Sequence, residues 1–155
     1  MLTDEIRADM AQAVLCWLAT VDADGQPSVS PKEIFAPHGA DRVMIAEIAS
    51  AGSLRNIRQN PKVCVSLIDI FRQRGWKLTG QAEVIAPGEP HFADLGAEVL
   101  RMAGSAYPVR HLLSVKVQRA VPILAPSYRH FPDRSEAERV AEAHRLYGTR
   151  PASGG

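Results

Sequence analysis

Little in this chain announces a function outright. Only two cysteines occur in 155 residues, and both lie in apolar runs, Leu15-Cys16-Trp17-Leu18 and Val63-Cys64-Val65. Nothing nearby would depress a thiol pKa, so they read as inert buried thiols and not as a redox pair. The five histidines are scattered, with no His-x-x-x-His pair and no Cys/His spacing of a zinc site. A net charge of +1 gives no electrostatic footprint for nucleic acid. Two tryptophans, three tyrosines and four phenylalanines are few for base-stacking platforms. No apolar run approaches the ~20 residues of a membrane span, and the chain opens on Asp4, Glu5 and Arg7 instead of a signal-peptide pattern. These absences lead us to expect a cytoplasmic protein with neither nucleic acid nor membrane as partner. No Gly-x-Ser-x-Gly elbow or other nucleophile–base set supports hydrolysis or acyl transfer.

What is present is a succession of short strands. Residues 3–12 predict an amphipathic helix, with Thr3 as cap and Ile6 and Met10 on one face. The apolar run Val14 to Val21 ends in Asp22-Ala23-Asp24-Gly25, a hairpin signal because Asp-Gly supplies the positive φ a tight turn needs. The return strand, Pro27 to Phe35, contains Pro31 and so belongs at a sheet edge or a bulge. Further strands are predicted over Arg42–Glu47, Lys62–Ile70, Trp76–Ile85 (strict period two) and Leu112–Val121. Helices are predicted near Ser53–Gln59, Pro90–Ala103 and Ser135–Tyr147, and the final Ala-Ser-Gly-Gly is expected to be disordered. Five or six strands closed by tight turns predict an antiparallel barrel with helical additions. A doubly wound sheet is disfavoured, since helices do not alternate with strands and no Gly-x-Gly-x-x-Gly occurs.

Two stretches carry candidate chemistry. Ser28, Ser30 and Lys32 share one face of the proline-containing strand, hydroxyls with one ammonium, suited either to an anionic ligand or to plain solvation. From Ile48 to Val63 the chain runs through a small-residue loop with Ser50 and Ser53 into a short helix. Ser53 is placed as its N-cap and Arg55 in its first turn. The first turn of a helix offers free N–H donors and partial positive charge, so this is a candidate phosphate cradle. An ordinary capped surface helix is the simpler reading of those residues alone. Glu47, just before the loop, either faces a ligand or offsets Arg55 or Arg58.

Taken together, Leu18-Ala19-Thr20-Val21-Asp22, Asp24-Gly25-Gln26-Pro27, Ser28-Val29-Ser30-Pro31-Lys32, Ile45-Ala46-Glu47, Asn56-Ile57-Arg58-Gln59-Asn60-Pro61-Lys62-Val63 and Gly80-Gln81-Ala82-Glu83-Val84 resemble the pyridoxamine 5′-phosphate oxidase-like family of FMN-binding split barrels. The resemblance implies a mainly β fold, a six-stranded antiparallel split β-barrel with flanking α-helices. The likeness runs from about residue 5 to about residue 122, and it implies an FMN-binding split-barrel domain over residues 1–130, with 131–155 as a C-terminal helical extension and tail. It implies a homodimer holding FMN at the subunit interface. Ser30, Pro31 and Lys32 would lie against the ring, and Ala46, Glu47, Ile48, Ser50, Ser53 and Asn56 would hold the ribityl chain and phosphate. The family pattern has two departures here. Gly52 and Ser53 stand where true pyridoxamine phosphate oxidases carry an Arg-Lys pair, and Tyr128-Arg129-His130-Phe131-Pro132 lacks their substrate-gripping segment. The implied function is an FMN-dependent oxidoreductase acting on a small-molecule redox substrate other than vitamin B6. The alternative is a non-catalytic flavin holder, a redox sensor or electron carrier.

Overall fold

The computed structural model describes residues 1–151. In chain order the elements are α1 (Asp4–Gln12), β1 (Cys16–Val21), β2 (Pro27–Lys32), β3 (Phe35–His38), β4 (Arg42–Glu47), α2 (Ala51–Gln59), β5 (Lys62–Asp69), β6 (Arg74–Ile85), α3 (Phe92–Ala103), β7 (His111–Leu124), α4 (Ser127–His130) and α5 (Glu136–Tyr147). The tail expected to be disordered, 152–155, lies outside the described residues.

All seven strands belong to one antiparallel sheet in the order β2-β1-β5-β6-β7-β4-β3. β2 and β3 are therefore its opposite edges, yet only Glu33 and Ile34 lie between them. Lys32 and Phe35 can stand at most about 11 Å apart even when that connector is fully extended. The sheet must curl until its edges nearly meet, which makes it a barrel split along one seam. The run Pro27–Phe35, expected as one strand, is thus two strands on either side of the seam, and the strand count is seven instead of six. Pro31 sits in an edge strand, where a missing N–H leaves no gap inside the sheet. The connector is held to β4 by the Ala46 N–H, which donates to Ile34 O at 3.0 Å.

Local signals act as expected elsewhere. Asp22 Oδ1 accepts from the N–H groups of Asp24 (2.9 Å) and Gln26 (2.8 Å), and Gly25 takes φ +86°. Thr3 caps α1, accepting from Ile6 N–H at 3.3 Å, and Ile6 and Met10 enter the barrel core with Leu18, Ile45, Val65, Leu78 and Leu113. β4 and β7 are buried on both faces: Val43, Ile45 and Val115 fill the barrel, whereas Met44, Ala46 and Leu112 pack with Val99 of α3 in a second cluster. Where the β6–β7 register shifts, a Cβ on Gly80 would stand 2.0 Å from Lys116 O, so the bulge admits glycine alone. No helix among the described residues is long and apolar enough to cross a membrane.

One buried cluster has no counterpart in the sequence reading. Asp9, on the core face of α1, is 3 % exposed. Its Oδ2 accepts from Trp76 Nε1 at 2.7 Å and from Arg74 at 3.1 Å, while Oδ1 accepts from Arg72 at 3.0 Å. Arg72 also reaches Glu136 at 2.9 Å, joining α1, the β5–β6 turn and the start of α5.

Candidate functional site

The seam opens into a cleft of about 270 Å³. Pro31, Lys32, Glu33 and Ile34 form one wall, Ala46, Ile48, Ala49 and Ser50 at the end of β4 form the other, and Tyr107 of the α3–β7 loop borders it. The cleft exists because two consecutive strands lie at opposite sheet edges: the chain must cross the seam here, and the crossing residues have no ladder partners on that side. Five of the expected site residues, Pro31, Lys32, Ala46, Ile48 and Ser50, line it.

Beneath the cleft runs a polar chain. Lys32 is buried and its Nζ donates to Ser50 Oγ. The Ser50 N–H in turn donates to Glu47 Oε1. Burial pushes the Lys32 ammonium below its ordinary 10.5, against the opposing pull of Glu47 and then Cys16. Cys16, opposite Lys32 in the β1–β2 register, is a thiol pushed up to about 12 by burial, and burial raises Cys64 as well, in keeping with inert cysteines. Glu47 is 1 % exposed, so it offsets neither Arg55 nor Arg58, both of which face solvent. Its Oε2 accepts no hydrogen bond. Across the β4–β7 ladder stands His111, whose Nδ1 is 3.6 Å from that oxygen and also without a partner.

The helix beside the cleft begins earlier than its sequence suggests. Ser50, not Ser53, is the N-cap residue of α2, and its hydroxyl serves Lys32 instead of capping. Ser53 is the third helical residue, buried, with its Oγ 3.1 Å from Ser30 Oγ. Asn56 donates from Nδ2 to Thr20 Oγ1 at 3.0 Å in a buried contact. These two pairs stitch α2 to β2 and β1, so Ser30, Ser53 and Asn56 form a group beside the cleft and not within its lining. The first bond of the helix runs from Leu54 N–H to Ser50 O at 3.2 Å, which leaves the N–H groups of Ala51, Gly52 and Ser53 without partners among the described residues. A Cβ on Gly52 would meet nothing within 4 Å. Three free donors at an open helix N-terminus have the geometry that suits an anion.

The family model described as pyridoxamine 5′-phosphate oxidase matches residues 2–123. The chain belongs to this family. Among solved structures, the pyridoxamine 5′-phosphate oxidase fold of this chain is similar to that of HupZ from Group A Streptococcus, with a TM-score of 0.69, 25% identity, and coverage of 81% of this chain and 96% of that one. It is similar to an FMN-binding protein from Syntrophomonas wolfei (TM-score 0.67, 14% identity, 80% and 87% covered). It is also similar to HutZ, the heme storage protein of Vibrio cholerae (TM-score 0.63, 19% identity, 79% and 94% covered). No curated protein matches the sequence. At such identities the latter two likenesses speak to the fold.

The residues present fit the flavin associated with this family. The free N–H groups at α2 suit a phosphate, and Ala46 and Ala49 leave room where longer side chains would fill the cleft. Lys32 supplies the one cation on the wall. Sequence reasoning missed Glu33, Ile34, Ala49, Tyr107 and His111. The first two follow once the seam is known, and His111 follows only from the β4–β7 register.

Proposed function

We propose that this protein binds FMN in the seam cleft and passes electrons through it as an oxidoreductase. One observation carries the reading: a cleft walled by Pro31, Lys32, Ala46 and Ile48 adjoins the unpartnered N–H groups at the start of α2. The bound flavin would supply hydride acceptance and electron transfer. The protein's part is to bind and orient. Ala51, Gly52 and Ser53 hold the phosphate through backbone donors, with the Ser30–Ser53 hydroxyl pair alongside. Lys32, buried and held by its contact to Ser50, sets a positive charge beside the ring. With Gly52 and Ser53 in place of two cations, this phosphate grip is weaker than that of a true pyridoxamine phosphate oxidase.

A homodimer is part of the proposal. A cleft of about 270 Å³ falls below the ~300–1,000 Å³ of a usual small-molecule pocket, so a second copy closing over the seam would complete it. Trp17 (45 % exposed) and Val29 (58 %), on the outer face next to Pro31 and Ala19 respectively, supply apolar surface for that contact.

Titration with FMN, followed by flavin fluorescence and by gel filtration, tests the reading. Binding at dimer mass is expected. Ser53→Asp places an anion at the cradle and should weaken FMN by at least about tenfold; unchanged affinity would remove the phosphate assignment. Steady oxidation of a nicotinamide cofactor by the loaded protein separates an oxidoreductase from a flavin holder without turnover.

A further inference from the structure

We infer that His111 is a positioning residue for the cofactor's anionic end, and that FMN binding at α2 draws one proton onto the Glu47–His111 pair. This rests on the flavin reading above. The starting point is a pair of orphans. Glu47 Oε1 is held by the Ser50 N–H, but Oε2 is buried and accepts nothing. An unsatisfied buried polar atom costs on the order of 1–3 kcal/mol, more when charged. His111 Nδ1 faces it from 3.6 Å, buried and equally unpartnered. At that distance a neutral ring makes no hydrogen bond. Protonation of the ring sets a positive charge opposite the buried carboxylate and strengthens the same contact, so the pair has a place for one proton.

The surroundings leave this proton to the pair. On the cleft side stands Lys32 of β2, which the Glu47 charge attracts but which donates to Ser50 and not to Oε2, with Glu33 and Tyr107 bordering the same cleft. β1 contributes Cys16, held as a thiol. From β7, the Arg110 N–H donates to the Glu47 carbonyl at 2.8 Å, while the Arg110 side chain is exposed. α3 turns Gly96, Val99 and Ala103 inward and pairs Glu98 with Arg101 in solvent. α2 presents only its positive end.

That last fact couples the pair to the ligand. A phosphate on the N–H groups of Ala51 to Ser53 enters beside Glu47, which already takes the Ser50 N–H of the same turn. Two anions at one helix terminus repel, and a proton on His111 offsets the buried one. Protein, FMN and one proton from solvent combine, and by linkage lower pH tightens FMN while FMN raises the proton affinity of the pair.

The test is FMN affinity between about pH 5.5 and 8.5, the range over which a histidine charges, for the wild type, His111→Gln and Glu47→Gln, with riboflavin as the phosphate-free probe. The phosphate's own second ionisation, near pH 6, is common to all three proteins and cancels in the comparison. Wild-type affinity should fall about tenfold more than that of either variant as pH rises, and riboflavin should show no such excess. Parallel FMN profiles in wild type and His111→Gln, or an equal excess with riboflavin, would overturn the inference. Should FMN not bind at any pH, the flavin reading fails, and with it the coupling; NMR of the His111 ring in the free protein then tells whether the proton site itself survives. A midpoint that shifts downward in Glu47→Gln keeps the pair, and an unmoved midpoint removes it too.

Discussion

Asp9 and Glu47 are both buried carboxylates, 3 % and 1 % exposed, and the fold treats them in opposite ways. Asp9 is saturated: two guanidiniums and an indole N–H donate to it, from the start of β6 and from the β5–β6 turn. Glu47 is left half-made, with one oxygen on a backbone N–H and the other facing a histidine that does not reach it. The first arrangement has nothing left to offer a ligand. The second stands at the end of a cleft, next to free helix donors, with its electrostatics unfinished. Saturation suits a structural role, and a deficit suits the proposed binding site.

Removing the saturated carboxylate should give the larger effect on folding. Asp9→Asn takes the buried carboxylate from Arg72 and Arg74 and leaves them only the exposed Glu136 and Glu5, with Nε atoms that already lack partners. It also breaks the bridge between α1 and β6. A stability loss of about 3 kcal/mol is expected from chemical denaturation, with FMN affinity within twofold of wild type. Glu47→Gln should do the reverse. Its amide can accept from Ser50 N–H and face a neutral His111 Nδ1, so those contacts are kept while Lys32 loses the pull of the carboxylate. Stability should fall by only about 1 kcal/mol, because Lys32 keeps Ser50, while the pH dependence of FMN binding in excess of the phosphate's own disappears. A mild Asp9→Asn together with a severe Glu47→Gln would invert the comparison.

The two sites also differ in how far the sequence revealed them. Features made by neighbours in sequence are legible: the Asp22–Gly25 turn, the Thr3 cap and the alternation of Trp76 to Ala82 each depend on a few consecutive residues. Lys32, Glu47 and Ser50 stand out because the family likeness orders them. The start of α2 shifts from Ser53 to Ser50 because every residue from Ala49 to Ser53 is small, and so no side chain marks the boundary. The break between β2 and β3 is invisible locally, since it arises from closing a seven-stranded sheet. Nothing beside Asp9 in the sequence marks it, because its partners Arg72, Arg74 and Trp76 lie more than sixty residues away. His111 had no signal at all, because its meaning depends on a single cross-strand pairing.

The cations at the two sites differ as well, which allows a finer test. Arg72 and Arg74 stay charged at any accessible pH, so the Asp9 cluster adds no alkaline titration. Lys32 does titrate. Burial lowers its pKa, so in the folded protein it sheds its proton before it would in the unfolded chain at 10.5. While both states are charged the desolvation penalty is present in full; as pH rises toward 10.5 the unfolded state binds more protons than the folded one, and this group's contribution to stability rises. Cys16 works in the opposite sense, favouring unfolding from pH 9 up to about 12, because its thiol ionises only in the unfolded chain over that range. Burial raises Cys64 in the same sense, so in a Cys16→Ala, Cys64→Ala background the lysine contribution is free of both thiols. Lys32→Met should then flatten the rise of stability below pH 10.5, by less than the ~1.4 kcal/mol per pH unit of a whole proton. Urea denaturation at a series of alkaline pH values measures it. An unchanged slope would mean that water reaches Lys32 freely, and that the polar chain from the cleft to Glu47 is open where the contrast with Asp9 requires it to be closed.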